Sequence, residues 1–304
     1  MSISKPHNDK IFIGIAFCIV AHFLFFIMGL SAKYLSATHH VAEVAFYRNL
    51  IVFIPLLAFI ILIPKNRHYV KTTQPKWVAF RAIVGGISLV VTYATLSLLP
   101  MSYATVLFFT STLLTPVFAH FFLKEHVGWH RWAAVLFGMI GVYIIAQPSG
   151  AVNMLGMMLG LIAALLHASM FVTLRNLKSQ SPLTVTFYFM IGGTLIPGLA
   201  MPWIAAPIPL NELWVFLAVA LSGGSAQLCL ANAYKYAPAS VVTPFAYSAL
   251  IWSLLADYFY WHYTLDIHAV IGGTSLIITA QGYILYREYI NKKKKIQKEI
   301  QGLS

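Results

Sequence analysis

Few residues in this chain can hold or pass a charge in an apolar setting, and those few are where a ligand would be felt. His22 and His167 fall near the centres of two long apolar runs, Arg48 lies inside a third, and Asp257 sits near the end of a fourth. Ionisable groups at such depth are costly unless they face a cavity or a partner, so they are site candidates by default. An imidazole there either hydrogen-bonds a neighbouring helix or lines a polar chamber. Arg48 follows Glu43 by five positions, off the three- or four-residue spacing that pairs side chains on a helix. Its partner is therefore open: Glu43, Asp257 from across a bundle, or an anionic ligand.

Rings and hydroxyls supply a second set. Tyr93 with Ser97, and Phe108 with Thr112, stand four apart and share a helical face. Gln227 and Asn232 fall in one run, and Thr243, Tyr247 and Trp252 in the next. Aromatic walls with a few polar groups suit an amphipathic metabolite, while Tyr and Trp also gather at membrane interfaces for reasons unrelated to ligands.

Covalent chemistry has little to work with. Glu125, His126 and His130 form the one local cluster of acid, base or metal-ligand types, but Gly128 interrupts the histidine pair and no third ligand follows. There is no GxxxxGK[ST] phosphate loop, no HExxH and no paired-cysteine motif. Cys18 and Cys229 lie inside apolar runs and read as small packing residues. No catalytic residue, cofactor or metal is expected. A membrane-embedded enzyme acting on lipid is the alternative that this loop cluster keeps open.

The elements that position these residues are set by the solvent. The 304 residues are 60% hydrophobic and 9% charged, against about 25% charged in soluble domains, and the mean hydropathy is +0.78. Apolar runs near 11–32, 42–63, 77–98, 102–123, 131–147, 154–175, 183–204, 212–235, 240–261 and 267–287 are each about the length that crosses a hydrocarbon core. In lipid the backbone must satisfy itself, so such runs are helices. The expectation is an all-α integral membrane protein of ten transmembrane helices. The first run is too long for a signal-peptide core and lacks a cleavage site, so it is read as the first helix.

The net charge of +12 sits at the ends of these runs and signals topology, not nucleic-acid binding. With the N-terminus inside, only Lys33 and Arg48 of the 20 Lys and Arg residues fall on the far side, so both termini are expected in the cytoplasm. Residues 292–304, opening with Lys292 to Lys295, form a basic cytoplasmic tail.

The two halves answer one another. Trp77-Val78, Gly85-Gly86 and Pro100 match Trp214-Val215, Gly223-Gly224 and Pro238. Phe46-Tyr47 and Ile54-Pro55 match Phe187-Tyr188 and Ile196-Pro197, and Gly14 with Lys33 matches Gly156 with Arg175. Five spans per half make the second half enter with opposite polarity, so residues 1–150 and 151–291 are expected to be two inverted five-helix repeats, a construction used by secondary transporters. The paired glycines permit close helix approach or a gating bend, and Pro116 and Pro244 favour kinks.

Ala237-Pro238-Ala239-Ser240-Val241-Val242, Pro244-Phe245-Ala246-Tyr247, Leu250-Ile251-Trp252 and the ending Tyr283-Ile284-Leu285-Tyr286-Arg287-Glu288 resemble the drug/metabolite transporter (DMT) superfamily, specifically its ten-helix EamA-type members. Leu123-Lys124-Glu125 looks like the acidic close of that family's fourth helix. The chain departs where relatives carry a glutamate after the ninth helix and this sequence has Tyr263, and where Asp257 replaces a usual glycine. The resemblance implies export or uptake of a small organic metabolite such as an amino-acid derivative, nucleobase or vitamin. Glu43-Val44-Ala45-Phe46-Tyr47-Arg48 is similar to S-adenosylmethionine carriers of intracellular bacteria. The expected setting is a bacterial inner membrane, and the expected partners are a small-molecule substrate, the lipid bilayer, and a coupling proton or an exchanged metabolite.

Overall fold

The computed structural model describes residues 8–123, 153–177, 180–236, 245–246 and 248–263, with single positions between 133 and 140 and between 271 and 290. Its helices are α1 (Asn8–Leu35), α2 (Val41–Leu62), α3 (Pro75–Leu98), α4 (Met101–Leu123), α5 (Met154–Asn176), α6 (Pro182–Gly198), the single turn α7 (Met201–Ile204), α8 (Leu213–Tyr236) and α9 (Ser248–Phe259). A 3-10 segment, Pro64–Val70, follows α2. Among the described residues there is no strand. Six of these helices are long and apolar enough to cross a membrane, and Leu183–Gly198 and Ser248–Phe259 are shorter apolar helices. The protein is an all-α integral membrane protein. The expected fifth and tenth spans, residues 131–147 and 267–287, lie almost entirely outside the described residues.

Local chemistry sets the helix starts. His40 precedes α2 and its Nδ1 accepts from the Ala42 backbone N–H at 3.2 Å. Asn153 Oδ1 accepts from Gly156 N at 3.0 Å at the start of α5, meeting one of the donors that a helix N-terminus leaves open. Pro75 and Pro182 open α3 and α6, at the position where a missing N–H is harmless. The far end of α2 is closed by side chains of the 3-10 segment, with Asn66 Nδ2 donating to Phe59 O and Arg67 Nε to Ile61 O, each at 3.3 Å.

The helices are apolar around most of their circumference, as membrane-spanning helices are. Phe12, Leu62, Leu155, Leu195 and Leu221 point outward, while Leu35, Val44, Leu89, Leu107, Met190 and Phe216 fill a core between the helices. The main packing partners are α1 with α8 and α3 with α5, α3 with α6 and α2 with α8, α4 with α5 and α1 with α9, and α2 with α6 and α4 with α9.

Glycines set the closest crossings. A Cβ at Gly192 on α6 would overlap the Ala82 carbonyl of α3, and one at Gly86 would come within 2.5 Å of the Gly192 carbonyl oxygen. Backbones of α3 and α6 therefore meet directly. On the other pair of helices, a Cβ at Gly223 would stand 2.8 Å from two Arg48 nitrogens, and one at Gly224 would be 3.1 Å from Val52. The close-approach reading of both glycine pairs agrees with this packing.

Candidate functional site

Arg48 reaches the interior because α2 carries it about two turns past its N-terminus, on the face toward α6 and α8. It is 1% exposed. Its Nη1 donates to Asn49 Oδ1 at 2.6 Å, and Nη2 has only the weak acceptor Met28 Sδ at 3.8 Å. Nε has no partner. The guanidinium stands 5.8 Å from the centroid of Phe189 on α6. Asn49 is tied down in turn, its Nδ2 donating to Ala45 O at 3.0 Å and to Gly193 O on α6 at 2.8 Å. Tyr93 on α3 lies within electrostatic reach of Arg48, and its buried hydroxyl also lacks a partner of hydrogen-bond geometry.

Of the partners left open for Arg48, the two acids are bound elsewhere. Glu43 is bound to His39 Nδ1 at 3.1 Å, and Glu212 to His39 Nε2 at 2.6 Å. Ala206 N approaches Glu43 Oε1 at 3.3 Å. Asp257 is wholly buried and caps α4: its carboxylate accepts from Met101 N at 2.8 Å, Ser102 N at 2.7 Å and Ser102 Oγ at 2.6 Å. Neither acid reaches Arg48. Lys33 complements Asp257 by closing the preceding helix, Nζ donating to Leu96 O at 2.7 Å and Leu99 O at 2.5 Å beside Trp261. A cation on the carbonyl end of α3 and an anion on the N–H end of α4 both oppose the helix dipole charge they face.

Two more expected residues meet nearby. His167 Nε2 lies 3.2 Å from Thr92 Oγ1, and its ring is edge-on to Phe108 with centroids 5.4 Å apart. Thr92 precedes Tyr93, so the α3 turn that faces Arg48 also faces His167. Arg48 and Tyr93, and Phe108 and His167, thus collect around the Thr92–Tyr93 turn in the C-terminal third of α3.

The remainder are dispersed. His22 Nδ1 contacts Cys18 O at 2.9 Å on its own helix. Thr112 donates to Phe109 O at 2.6 Å, Ser97 to Ala94 O at 2.9 Å, and Asn232 to Leu228 O at 2.9 Å, all within their helices. Gln227 is half-buried on α8. Trp252 packs edge-on against Phe23 at 5.2 Å, with its buried Nε1 unpaired. Tyr247, Thr243, Pro244 and the Glu125, His126, His130 cluster lie outside the described residues.

Asn49 and Phe189 were missed by sequence reasoning, as was Arg81, whose Nη1 donates to Met170 O at 3.0 Å and whose guanidinium also rests on Phe189, at 5.7 Å. Asn49 is adjacent to Arg48 in the chain, a signal that was there to be used. Arg81 lies six residues into α3 and passed for a flanking charge.

The family model described as the EamA-like transporter family matches residues 12–147 and again 154–286. An S-adenosylmethionine uptake transporter of Rickettsia bellii is 30% identical over 273 residues, spanning 87% of this chain and 90% of that protein. A pseudopaline exporter of Pseudomonas aeruginosa is 23% identical, spanning 87% and 93%. A solved crystal structure with 16% identity superposes with a TM-score of 0.58, covering 89% of this chain and 96% of that one, a likeness of fold.

Proposed function

The chain belongs to the EamA-like transporter family and is a small-metabolite transporter, and from that premise we propose that its cargo is an amino-acid derivative of the S-adenosylmethionine type, carried by alternating access. Its relatives are transporters rather than enzymes, which disfavours the lipid-modifying alternative. The cargo class rests on the uptake transporter that is similar along nearly the full length of both chains.

The mechanism rests on the packing. Number the spans so that α5, α6, α8 and α9 are the sixth to ninth, and exchange each with the span five away. Contact α1–α8 then becomes α5–α3, α3–α6 becomes α8–α2, and α4–α5 becomes α9–α1, while α2–α6 and α4–α9 return to themselves, and all of these contacts exist. This exchange, with the double match of one family model, supports two inverted repeats at 1–150 and 151–291, ten spans in all. Halves related in this way can rock about a site they share near the membrane midplane. Arg48, Tyr93, Phe108 and His167 are the central binding residues in this reading, with His22, Thr112, Gln227, Asn232, Tyr247 and Trp252 more peripheral. The positive-inside count supports cytoplasmic termini in a bacterial inner membrane.

Purified protein in liposomes tests this with labelled S-adenosylmethionine. Saturable uptake is expected, accelerated either by unlabelled metabolite trapped inside or by an imposed proton gradient, and that comparison separates exchange from proton coupling. Loading from the inside and following efflux gives the direction, which the exporter relative leaves open. Absence of movement of every amino-acid derivative tried, by protein that elutes as a folded species, sinks the cargo class.

A further inference from the structure

Among the described residues the guanidinium at the centre of the bundle has no counter-charge, and no carboxylate there is left to supply one. Eight acidic residues exist: Asp9, Glu43, Glu125, Glu212, Asp257, Asp266, Glu288 and Glu299. Glu43 and Glu212 are bound to His39, and Asp257 to the α4 N-terminus. The other five fall before, between or after the ten apolar runs, at the edges of the membrane. A buried cation without a partner is among the least favourable things a protein can keep, and more so in a bilayer. Its persistence calls for an anion from elsewhere.

The unsatisfied part of Arg48 has a definite shape. Nη1 is occupied by Asn49, while Nε has no partner and Nη2 only a thioether. Nε and Nη2 form the side edge of the guanidinium, two parallel donors that match the two oxygens of a carboxylate. Gly223 lies against that edge: a Cβ there would be 2.8 Å from both nitrogens. The Tyr93 hydroxyl, which lies beside Arg48 without a partner of good hydrogen-bond geometry, offers a third donor. The edge is held in place by Asn49, which is anchored to the backbone of α6.

Symmetry puts the same group between the halves. The register that matches Phe46-Tyr47 with Phe187-Tyr188 sets Phe189 against Arg48, and these two side chains touch one another. Each also packs on the glycine pair of the opposite half, Phe189 on Gly85 and Arg48 on Gly223. Residues that correspond under the exchange and meet each other lie close to its axis, where a site open alternately to either side must lie. One repeat supplies an aromatic face at that point and the other a cation.

Resting on the transporter reading above, we infer that the cargo carries a carboxylate, received by the Nε–Nη2 edge of Arg48 and the Tyr93 hydroxyl when α8 moves off at Gly223. Only one edge is free, so the match is to a planar monoanion. Asn49 acts as a positioning residue, fixing the edge without touching the cargo.

The test compares acids with analogues that lack only the acid: S-adenosylmethionine against decarboxylated S-adenosylmethionine, and methionine against methionine amide, as uptake into liposomes and as binding in detergent. Wild-type protein is expected to prefer the acid by about ten-fold or more, as loss of even one charge-assisted hydrogen bond dictates. Arg48→Lys keeps the charge but not the fork, and Tyr93→Phe removes one donor; each should shrink the preference, and the melting temperature should hold. A further arm needs no cargo. Arg48→Met is expected to melt no lower than wild type, because the buried charge it removes has no counter-charge and the one short hydrogen bond lost is to the neighbouring Asn49, and a fall of several degrees would show a structural pairing and overturn the inference. Equal handling of acid and amide by wild type, or full preference in Arg48→Lys, also overturns it while leaving transport standing. If no member of either pair moves, the cargo class fails, and the melting comparison still decides whether Arg48 is a waiting cation.

Discussion

Asp257→Asn removes one negative charge at the turn between α3 and α4 and changes almost no volume. The carboxylate accepts three hydrogen bonds there, from Met101 N, Ser102 N and Ser102 Oγ, at 2.6–2.8 Å. The amide keeps one oxygen and turns its NH2 toward a donor, so at least one bond is lost and the others lose charge assistance. Loss of a helix cap costs about 1 kcal/mol, and loss of a buried charge-assisted bond about 1.5–3 kcal/mol. Lys33, held against the same turn by the Leu96 and Leu99 carbonyls, also loses a nearby opposite charge. About 3 kcal/mol is expected in all. At roughly 2–4 °C per kcal/mol for a large domain, the melting temperature should fall by about 6–12 °C, followed by tryptophan fluorescence in detergent. Ser102→Ala, which removes one of the three bonds, should cost about 1 kcal/mol. Lys33→Met combined with Asp257→Asn should deviate from additivity by at least about 0.5 kcal/mol. A change below about 2 °C for Asp257→Asn, with an additive double variant, would refute the clamp.

Gly192→Ala should abolish folded protein in a detergent elution profile, since its Cβ would occupy the Ala82 carbonyl, whereas Gly282→Ala, with nothing within 4 Å, should be neutral or slightly stabilising. His39→Ala leaves Glu43 and Glu212 buried without the ring that joins them and should cost about 3 kcal/mol or more in a melting assay; adding Glu212→Gln should recover part of that. With Cys18→Ala and Cys229→Ala as background, Ser2→Cys and Ser304→Cys should both react with a membrane-impermeant thiol reagent only after the cells are permeabilised; labelling of one terminus alone in intact cells would break the five-plus-five arrangement.

Helix positions were legible because the signal for a membrane span is length and polarity, and both are local. Observed α2, α3, α4 and α5 begin within two residues of the runs read from the chain. The expectation of a repeat rests on an equally local signal, paired glycines and aromatic-proline pairs that recur in order. The partners of the charges were not legible. Arg48 has two acids it might join at the level of sequence, and only packing shows Asp257 drawn to the α4 N-terminus and Glu43 to His39. A helix N-terminus is a concentration of partial positive charge that no residue letter records. For the same reason Asp257, which stands where the EamA-type pattern has glycine and was open as a partner of Arg48, is instead a buried cap. His22 looked central by its position in the first run, yet its ring nitrogen is spent on Cys18 O, because rotation of α1 about its own axis is set by contacts with α8 and α9 that the run itself does not encode.

The two ends of the bundle are tied with unequal strength among the described residues. At the end that carries the α1–α2 and α3–α4 turns, the ties are buried and charged: Lys33 on the α3 carbonyls, Asp257 on the α4 N–H groups, and His39 between Glu43 and Glu212. At the other end the outermost ties are neutral and largely exposed, Gln180 with Thr72 and Thr73, and Tyr188 with the Val70 carbonyl, while deeper in Arg81 donates to the Met170 carbonyl. Neutral hydrogen bonds facing water contribute about 1 kcal/mol or less, because water replaces them, while separating a buried charged contact costs several times that. Among the described residues the outermost ties are therefore easier to separate at the Gln180 end, which is the cytoplasmic side in the proposed orientation. A carrier must also open at the other end, where two buried contacts join residues of the two proposed halves: Asp257 on α9 with the α4 N-terminus, and Glu212 before α8 with His39 in the α1–α2 turn. The second caps no helix, so it is the contact that can break at the smaller cost on the outer side. Weakening it by Glu212→Gln should shift cysteine accessibility toward outer exposure without disturbing the α3–α4 clamp.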